Sequence, residues 1–460
     1  PNNTQEGTVI MKRWLTACVS TVVVLALLTA CGGAGSEGSA SGSGSSGGSG
    51  GGSGAKPAEQ TTIKFWYSAN DADPNNPHYK WMKETIAQFE AANPDIKVEQ
   101  TVVSNGDQYL NKISTEIAAN NAPDIFQTWM SGRLEPFVKA GRVYALNDAI
   151  ENDPEFKETI NPNNLDTSTF DGKIYALPNA LTAEVVFYNK AIFEKYNLSI
   201  PQTWDELLNV VKVLKDNGVV PFALGNKDPW PGSIPYMGIY SRMFGPYAYE
   251  DVVLNKQAKW DDPSFAEAAR KLLELRDAGA FPDNFNGLSY DEGVAMFNTE
   301  KAAMFFIGTW IVSESYAKLG DKLGFFNFPD IPGGKGNKED DWIINKDEGY
   351  AISSASKNKE AAVRLLKFLF SKERQAANAE LGQLITTRNI PYDESKIPPI
   401  TNELNKTFAN VKNAMIPWDN PLGQNIGKEF NMTTQAILGG ADIEEAFQKL
   451  QEASKKAWSE

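Results

Sequence analysis

The sequence is poor in the residues that most often build covalent cross-links and metal centres. It contains two cysteines, Cys18 and Cys31, and one histidine, His78. Both cysteines precede the globular part of the chain, so a disulfide within the folded body is excluded. A lone histidine also excludes the usual zinc sites and the Ser-His and Cys-His nucleophile systems. We therefore predict no metal, no cofactor and no catalytic residue.

Positive charge is also scarce relative to negative charge. The 44 lysines and arginines face 58 aspartates and glutamates, which gives a formal net charge of -14. Such an acidic chain is a poor partner for a phosphate backbone, so we predict no nucleic acid partner. The 460 residues are 42% hydrophobic, which is ordinary for a globular protein of two or more domains.

A lipoprotein signal is the most specific feature of the N-terminus. The basic residues Lys12 and Arg13 follow Met11, an apolar run extends from Trp14 to Leu27, and the segment 28–31 resembles a bacterial lipobox. The resemblance implies cleavage before Cys31 and lipidation of Cys31, which would hold the protein at the extracellular face of the cell membrane. Residues 1–10 are interpreted as an over-extended reading frame and residues 11–30 as the signal peptide.

A glycine and serine tract follows the lipobox. Residues 32–54 are almost entirely Gly and Ser, a composition typical of a flexible tether. We interpret residues 31–57 as the lipidated cysteine and its tether.

The body begins with alternating strand and helix patterns. Strands are predicted at 61–67, 96–103 and 125–126, with helices between them, the first of which ends before Pro94. This β-α-β-α-β order predicts a parallel, doubly wound sheet, in which ligands bind at the carboxyl ends of the strands. The residues at those ends are Trp66, Tyr67, Asn70, Thr128 and Trp129.

A second α/β region begins near Val185. Its first helix is announced by a predicted capping box at Thr203 and Glu206 and ends near Asn217. Further helical patterns cover residues 265–278, 360–370 and 443–458.

Short motifs in a fixed order connect the chain with a known family. They are Asn-Pro-Asp-Ile-Lys-Val at 93–98, Ala-Pro-Asp-Ile-Phe at 122–126, Phe-Tyr-Asn-Lys at 187–190, Pro-Gln-Thr-Trp-Asp-Glu at 201–206, Phe-Asn-Thr-Glu-Lys-Ala-Ala-Met at 297–304, Gly-Thr-Trp at 308–310, Ala-Ile-Ser at 351–353 and Lys-Asn-Lys-Glu-Ala-Ala at 357–362. In this order and spacing the chain resembles the bacterial extracellular solute-binding proteins of ABC sugar importers, the family that includes maltose-binding protein.

The resemblance implies a periplasmic-binding-protein-like fold. This is an α/β architecture of two lobes, with a hinge and a ligand cleft between them. Transferred to this chain, lobe one comprises residues 58–181 plus 347–395, and lobe two comprises residues 182–346 plus 396–460. The chain should cross between the lobes near 178–184 and near 347–350.

Flat aromatic side chains are the first candidates for a sugar site, because a sugar ring presents C–H groups on its faces. Trp310 matches the tryptophan of the family's Gly-x-Trp segment, which in sugar binders packs against a ring. Trp230 lies between two prolines in an expected loop, and Trp129 follows a strand. Alternation sends one of Trp66 and Tyr67 towards the cleft and the other towards the core, and the sequence does not distinguish them.

Hydrogen-bonding side chains complete the predicted site. Asn70 and Asp71 follow the first strand, Thr182 and Glu184 share one face of the first crossing, and Arg388 lies in a polar loop. Thr182 stands where maltose-binding protein is expected to have a carboxylate, which puts maltose itself in doubt.

The predicted function is capture of a sugar or short oligosaccharide and its delivery to the transmembrane subunits of an ABC permease. Ligand touching both lobes would favour a closed form of a monomeric protein. A lipid-anchored glycoside hydrolase is the alternative from another class, although no carboxylate pair can be nominated for catalysis. A binding protein for a polyamine or for a phosphorylated polyol is the alternative within the binding class.

Overall fold

The computed structural model describes residues 60–104, 106–179, 181–382, 390, 392–408 and 411–459. The predicted signal peptide, Cys31, the tether and Arg388 lie outside the described residues.

The described residues contain thirteen strands. In chain order they are β1 (Thr61–Ser68), β2 (Ile96–Val103), β3 (Ile125–Trp129), β4 (Thr169–Phe170), β5 (Lys173–Ile174), β6 (Ala176–Pro178), β7 (Thr182–Asn189), β8 (Val220–Phe222), β9 (Ala302–Gly308), β10 (Leu323–Phe326), β11 (Asp341–Asn345), β12 (Glu348–Ile352) and β13 (Asn413–Met415).

Seventeen α-helices accompany these strands within the same described ranges. They are α1 (Pro77–Ala92), α2 (Gly106–Ala118), α3 (Ser131–Lys139), α4 (Asn147–Glu151), α5 (Pro154–Thr159), α6 (Lys190–Lys195), α7 (Trp204–Asp216), α8 (Ser233–Phe244), α9 (Glu250–Val253), α10 (Pro263–Asp277), α11 (Tyr290–Asn298), α12 (Val312–Leu319), α13 (Lys359–Leu369), α14 (Lys372–Glu380), α15 (Pro399–Phe408), α16 (Gly423–Leu438) and α17 (Ile443–Trp458). Over the described part of the chain, no helix has the length and apolar character needed to cross a bilayer.

The first sheet has the strand order β2-β1-β3-β12-β6. Strands β1, β2 and β3 are parallel, as the β-α-β-α-β pattern predicts. Strand β12 is antiparallel to both of its neighbours, so the sheet is mixed rather than fully parallel. The difference arises because β12 enters from the second sheet instead of following a crossover helix.

The second sheet has the strand order β13-β11-β7-β9-β8, and β10 pairs with the far half of β7. Most of its central strand β7 is buried, with only Tyr188 partly exposed. Helices α8, α10 and α16 pack against one another beside this sheet and share one large apolar core with it.

Strand alternation divides the first lobe into two cores. Ile63, Phe65 and Tyr67 pack into the core that contains α1 and α13, while Trp66 packs against the core on the opposite face, with Tyr109 and Met130. Helices on both faces of a sheet bury both sets of side chains.

The predicted capping box at the start of α7 is half formed. Thr203 Oγ1 accepts a hydrogen bond from the Glu206 amide at 3.4 Å. The Glu206 carboxylate accepts instead from the Gln202 amide at 2.7 Å, one residue earlier than a capping box requires. The helix still ends as predicted, at Asp216.

The chain passes from the first sheet to the second between β6 and β7, and returns between β11 and β12. It leaves the first lobe a second time after α14, which packs against α1 and α13, and α15 then packs against β10. The two crossings run side by side, because both are continuous with strands of the two sheets. The exact lobe boundaries stay predictions.

Candidate functional site

The register of β7 and β9 determines which side chains share a surface beside the first crossing. Glu184 on β7 pairs directly with Gly308 on β9, and residues directly opposite on neighbouring strands point to the same face. The ring of Trp310 folds back over Gly308, so closely that a Cβ atom on this glycine would come within 1.8 Å of the ring. Glu184 and Trp310 are therefore neighbours on one face of the second sheet.

Two more aromatic rings join Trp310. The ring centroid of Trp230 lies 4.9 Å from that of Tyr290 and 5.8 Å from that of Trp310. The Trp310 Nε1–H donates a hydrogen bond to Tyr290 Oη at 2.8 Å. All three rings are partly exposed and rest on the core of the second lobe. We call Trp230, Tyr290 and Trp310 the aromatic trio.

Rigid backbone holds the aromatic trio in place. The carbonyl of Trp230 accepts a hydrogen bond from Ser233 Oγ at 2.7 Å, which fixes the loop to the start of α8. Tyr290 is the first residue of α11 and lies within a complete capping box formed by Ser289 and Glu292. The rings are therefore positioned by helix starts rather than by free loops.

Two carboxylates, those of Asp291 and Glu314, lie close to Tyr290 of the aromatic trio. Burial and the nearby Asp228 raise the pKa of Asp291, while burial and then the charges of Asp291 and Asp73 raise the pKa of Glu314. Asp73 comes from the first lobe, so like charges of the two lobes approach each other here. Aromatic faces beside carboxylate oxygens suit a ligand with C–H faces and hydroxyl edges.

Glu184 is unusual because its carboxyl group is buried and incompletely hydrogen-bonded. The residue is 3% exposed, and its Oε2 atom has no hydrogen-bond partner among the described residues. Burial, followed by the negative charge of Asp419, raises the pKa of Glu184 well above its usual range. Burial and this like charge both favour the neutral form of the carboxyl group.

An ion pair joins the lobes close to Glu184. Arg133 in α3 donates to Asp419 Oδ2 at 2.7 Å, and both side chains are largely buried. Asp419 follows β13 in the second lobe and also accepts from Asn431 Nδ2 at 3.4 Å. Beside the pair, a Cβ atom on Gly132 would come within 2.2 Å of the Pro421 carbonyl oxygen. The two lobes are in direct backbone contact at this point.

The return crossing contains a second buried acid, Asp347. Ser131 Oγ donates to its Oδ1 at 2.8 Å, and its Oδ2 has no partner among the described residues. Burial raises the pKa of Asp347 to about 6, against the opposing effect of its hydrogen bonds. Next to it, the Glu348 carboxylate accepts from Gln127 and from Asn179, which ties both crossings to β3.

The predicted residues of the first lobe lie near the ends of their strands. Trp66 is partly exposed, with Lys112 Nζ 4.4 Å from its ring centroid, and Trp129 is partly exposed beside Tyr109. Thr128 is buried and donates to the Trp129 carbonyl at 3.0 Å. No hydrogen bond, ion pair or ring contact connects these residues to the aromatic trio in the part of the chain that is described.

The other predicted residues have different surroundings. Asn70 is partly exposed, and Asp71 is exposed and accepts a hydrogen bond from Ser104 Oγ. Thr182 is buried and donates to the Asn345 carbonyl at 3.4 Å, across the two crossings. Tyr67 is fully buried in the core of the first lobe, so its ring has no free face for a ligand. Of the two alternatives that the sequence left open, strand alternation turns Tyr67 into the core and leaves Trp66 partly exposed.

Sequence reasoning did not identify Tyr290, Arg133 or Asp419. The spacing of Ser289 and Glu292 around Tyr290 fits a capping box, which predicts only where a helix begins. Arg133 and Asp419 are 286 residues apart, and no local pattern indicates that they meet. Among the described residues, no group of three or more potential metal ligands is present.

Comparisons with known proteins agree with this architecture. Residues 71–376 match the family model described as bacterial extracellular solute-binding protein. A solved chain from a study of xylan utilisation by the thermophilic bacterium Caldanaerobius polysaccharolyticus is 34% identical, with a TM-score of 0.79 over 85% of this chain and 99% of that one. A solved chitin oligosaccharide binding protein is 27% identical, with a TM-score of 0.79 over 87% of this chain and 100% of that one.

A curated relative adds to these matches. The multiple sugar-binding protein of Streptococcus mutans is 22% identical over 357 residues, which cover 75% of this chain and 79% of the relative. The family model and the solved structures both match most of the globular body. The chain belongs to the bacterial extracellular solute-binding protein family.

Proposed function

We propose that the protein binds a sugar or short oligosaccharide in the cleft between its lobes and delivers it to an ABC permease. The observation that carries this proposal is the aromatic trio, partly exposed and rigidly held, beside the buried carboxyl group of Glu184. Sugar rings stack on aromatic faces through C–H groups, while their hydroxyls require hydrogen-bond partners. A phosphorylated polyol would instead need clustered basic residues.

The relatives support the same ligand class. Those described above are named for binding chitin oligosaccharide and multiple sugars, and another was solved in a study of xylan utilisation. None of these names is that of a glycoside hydrolase, so we propose a binding protein rather than an enzyme.

Closure would bring the first lobe onto the ligand. Asn70 and Trp129 are partly exposed near the ends of the first-lobe strands, and Asp73 already approaches Glu314 of the second lobe. We propose that they contact the side of the ligand opposite Trp310. A ligand that touches both lobes stabilises the closed form by its differential affinity for that form.

Glycan binding is tested by isothermal titration calorimetry of the globular body with xylo-oligosaccharides, chito-oligosaccharides, raffinose and mannitol. We expect at least one glycan to bind and to raise the melting temperature. Trp310→Ala and Trp230→Ala should each weaken binding by roughly tenfold, about 1.4 kcal/mol. Trp458→Ala, which removes a partly exposed tryptophan of α17, should leave the affinity unchanged.

Two results would contradict the proposal. One is the absence of any glycan binding together with binding of polyamines. The other is the appearance of shortened oligosaccharides in chromatograms of the incubated mixture, because turnover identifies an enzyme.

We also propose a mature, monomeric protein that begins at a lipidated Cys31 and is anchored at the extracellular face of the cell membrane. Cys31→Ala should release the protein into the medium or leave it unprocessed, as measured by fractionation and mass spectrometry. Cys18→Ala is the matched control and should not change the anchoring. Equal membrane retention of both variants would contradict the lipid anchor.

A further inference from the structure

Glu184 occupies a buried position, where a carboxyl group costs free energy because it loses its hydration. It follows Ala183 and precedes Val185 and Val186 in a fully buried stretch of β7. Glutamate is almost never fully buried unless it is paired, and yet Glu184 forms no ion pair within the described ranges. A purely structural role does not explain this choice, because an apolar residue would fill the same space without the cost of desolvation.

The charged groups around Glu184 do not compensate it. The carboxylate of Asp419 is the charge that acts on it, and this charge has the same sign. Asp419 in turn is paired with Arg133 and hydrogen-bonded by Asn431. Asp347, at the return crossing, is the other buried acid near Asp419. The groups that face this region come from α3, from the segment after β13 and from the return crossing. Among the described residues, none of these groups is a cation that pairs with Glu184.

The position of Glu184 points to a ligand. Its side chain shares a face with Trp310, since Gly308 lies directly opposite it and carries the Trp310 ring. A protonated carboxyl has one O–H donor, and the buried Oε2 has no hydrogen-bond partner among the described residues. A ligand ring that rests against Trp310 would therefore lie on the face to which the Glu184 side chain points.

We propose that Glu184 enters the complex as a neutral acid and donates a hydrogen bond to a ligand oxygen on the ring that packs against Trp310. This inference rests on the proposed function and deepens it, because it makes ligand capture dependent on one proton. Deprotonation would convert the donor into a buried, unpaired charge next to Asp419. The affinity must then fall as the pH rises past the point at which the free protein loses this proton.

Calorimetric titration of the best glycan between about pH 5.5 and about pH 9 tests the proposal. In the wild type, the dissociation constant should stay level at low pH and then rise, by at most about tenfold for each pH unit, as one proton requires. In Glu184→Gln the amide is always neutral, so the dissociation constant should become independent of pH. Glu452→Gln, at an exposed site on α17, should keep the wild-type profile.

The variant Asp347→Asn distinguishes the effect of Asp347 on the pH profile from that of Glu184. If the profile arises from Glu184, this variant keeps it; if it becomes flat in Asp347→Asn instead, the proposal is overturned. A wild-type profile that does not change with pH, or a Glu184→Gln profile that still rises, also overturns it.

A measurement without ligand makes the inference independent of the proposed function. Infrared difference spectra of the free wild-type protein and Glu184→Gln at neutral pH should reveal the C=O stretch of one protonated carboxyl, missing from the variant. If this band is absent, the proposal fails even when glycans bind. If the band is present and no glycan binds at any pH, the proposed sugar-binding function fails instead. Thermal unfolding of the variant verifies that it is folded.

Discussion

At the scale of single residues, burial decides whether a side chain serves the fold or is available to a ligand. The ring centroids of Tyr67 and Phe65 are 4.9 Å apart. The Tyr67 hydroxyl donates a hydrogen bond to Gln100 Oε1 at 2.9 Å. Its neighbour Trp66 lies on the opposite face, partly exposed. Alternation thus separates two adjacent aromatic residues into a core residue and a candidate contact.

We predict that Tyr67→Ala destabilises the protein. Removing a buried ring should lower the free energy of unfolding by about 3–5 kcal/mol. Tyr67→Phe keeps the ring and loses one hydrogen bond, at a cost of about 1 kcal/mol. Urea denaturation followed by tryptophan fluorescence measures both. An alanine variant as stable as the wild type would show that this ring is not part of the core.

We predict that Asp347→Asn stabilises the protein at alkaline pH. The pKa of Asp347 is raised to about 6 in the folded state, so the folded protein holds this proton more tightly than the unfolded chain. Stability from this group is therefore present at low pH and is lost as the pH rises from about 4 to about 6. The asparagine should not pay this penalty.

The difference in free energy of unfolding between Asp347→Asn and the wild type should be largest above about pH 7, of the order of 2–3 kcal/mol, and should shrink towards about pH 4. Denaturation curves across this range measure it. Asp216→Asn, at an exposed site, is the control. A gain that grows as the pH falls would have the wrong sign for a buried acid.

At the scale of elements, the helices follow from their own sequences, while the site depends on how strands align. The helices α7, α10, α13 and α17 lie where apolar spacing and capping residues predict them. Glu184 shares a face with Trp310 because of the register in which β7 pairs with β9. A slip of one residue would turn Glu184 to the other face.

Gly308→Ala should therefore weaken ligand binding without touching the ligand. The added methyl group would occupy the position of the Trp310 ring, which must move. We expect a loss of affinity of roughly tenfold, similar to that of Trp310→Ala, and a decrease in stability of about 1–3 kcal/mol. Calorimetry and near-UV circular dichroism measure the two effects.

Gly287→Ala is the matched control, because a Cβ atom there meets no other atom within 4 Å. It should bind like the wild type. Unchanged binding by Gly308→Ala would mean that the position of the Trp310 ring does not matter to the ligand.

At the scale of the whole molecule, the contact between the lobes depends on particular residues, as the site does. Two strand crossings carry the chain between the sheets, and the Arg133–Asp419 pair joins α3 to the segment after β13. Gly132 sits against the backbone of Pro421 with no space for a side chain. The mutual position of the lobes therefore depends on a close approach of two backbones.

We predict that Gly132→Ala changes the position of the lobes and weakens glycan binding. A methyl group that meets the Pro421 carbonyl must separate the two segments. The change in radius of gyration on adding glycan, measured by small-angle X-ray scattering, should be smaller than in the wild type. Gly106→Ala, where a Cβ atom has open space, should behave like the wild type. An unchanged scattering response in Gly132→Ala would contradict the prediction.

The sequence by itself determined the first three strands, the principal helices, the fold class and the family, because periodicity and motif order are local or linear properties. It also restricted the site to a short set of aromatic and polar residues. The tertiary structure alone decided that Tyr67 belongs to the core, that Tyr290 joins Trp230 and Trp310, and that Arg133 meets Asp419. Facing direction and distant partners depend on strand register and on packing between segments far apart in the chain, which no local pattern encodes.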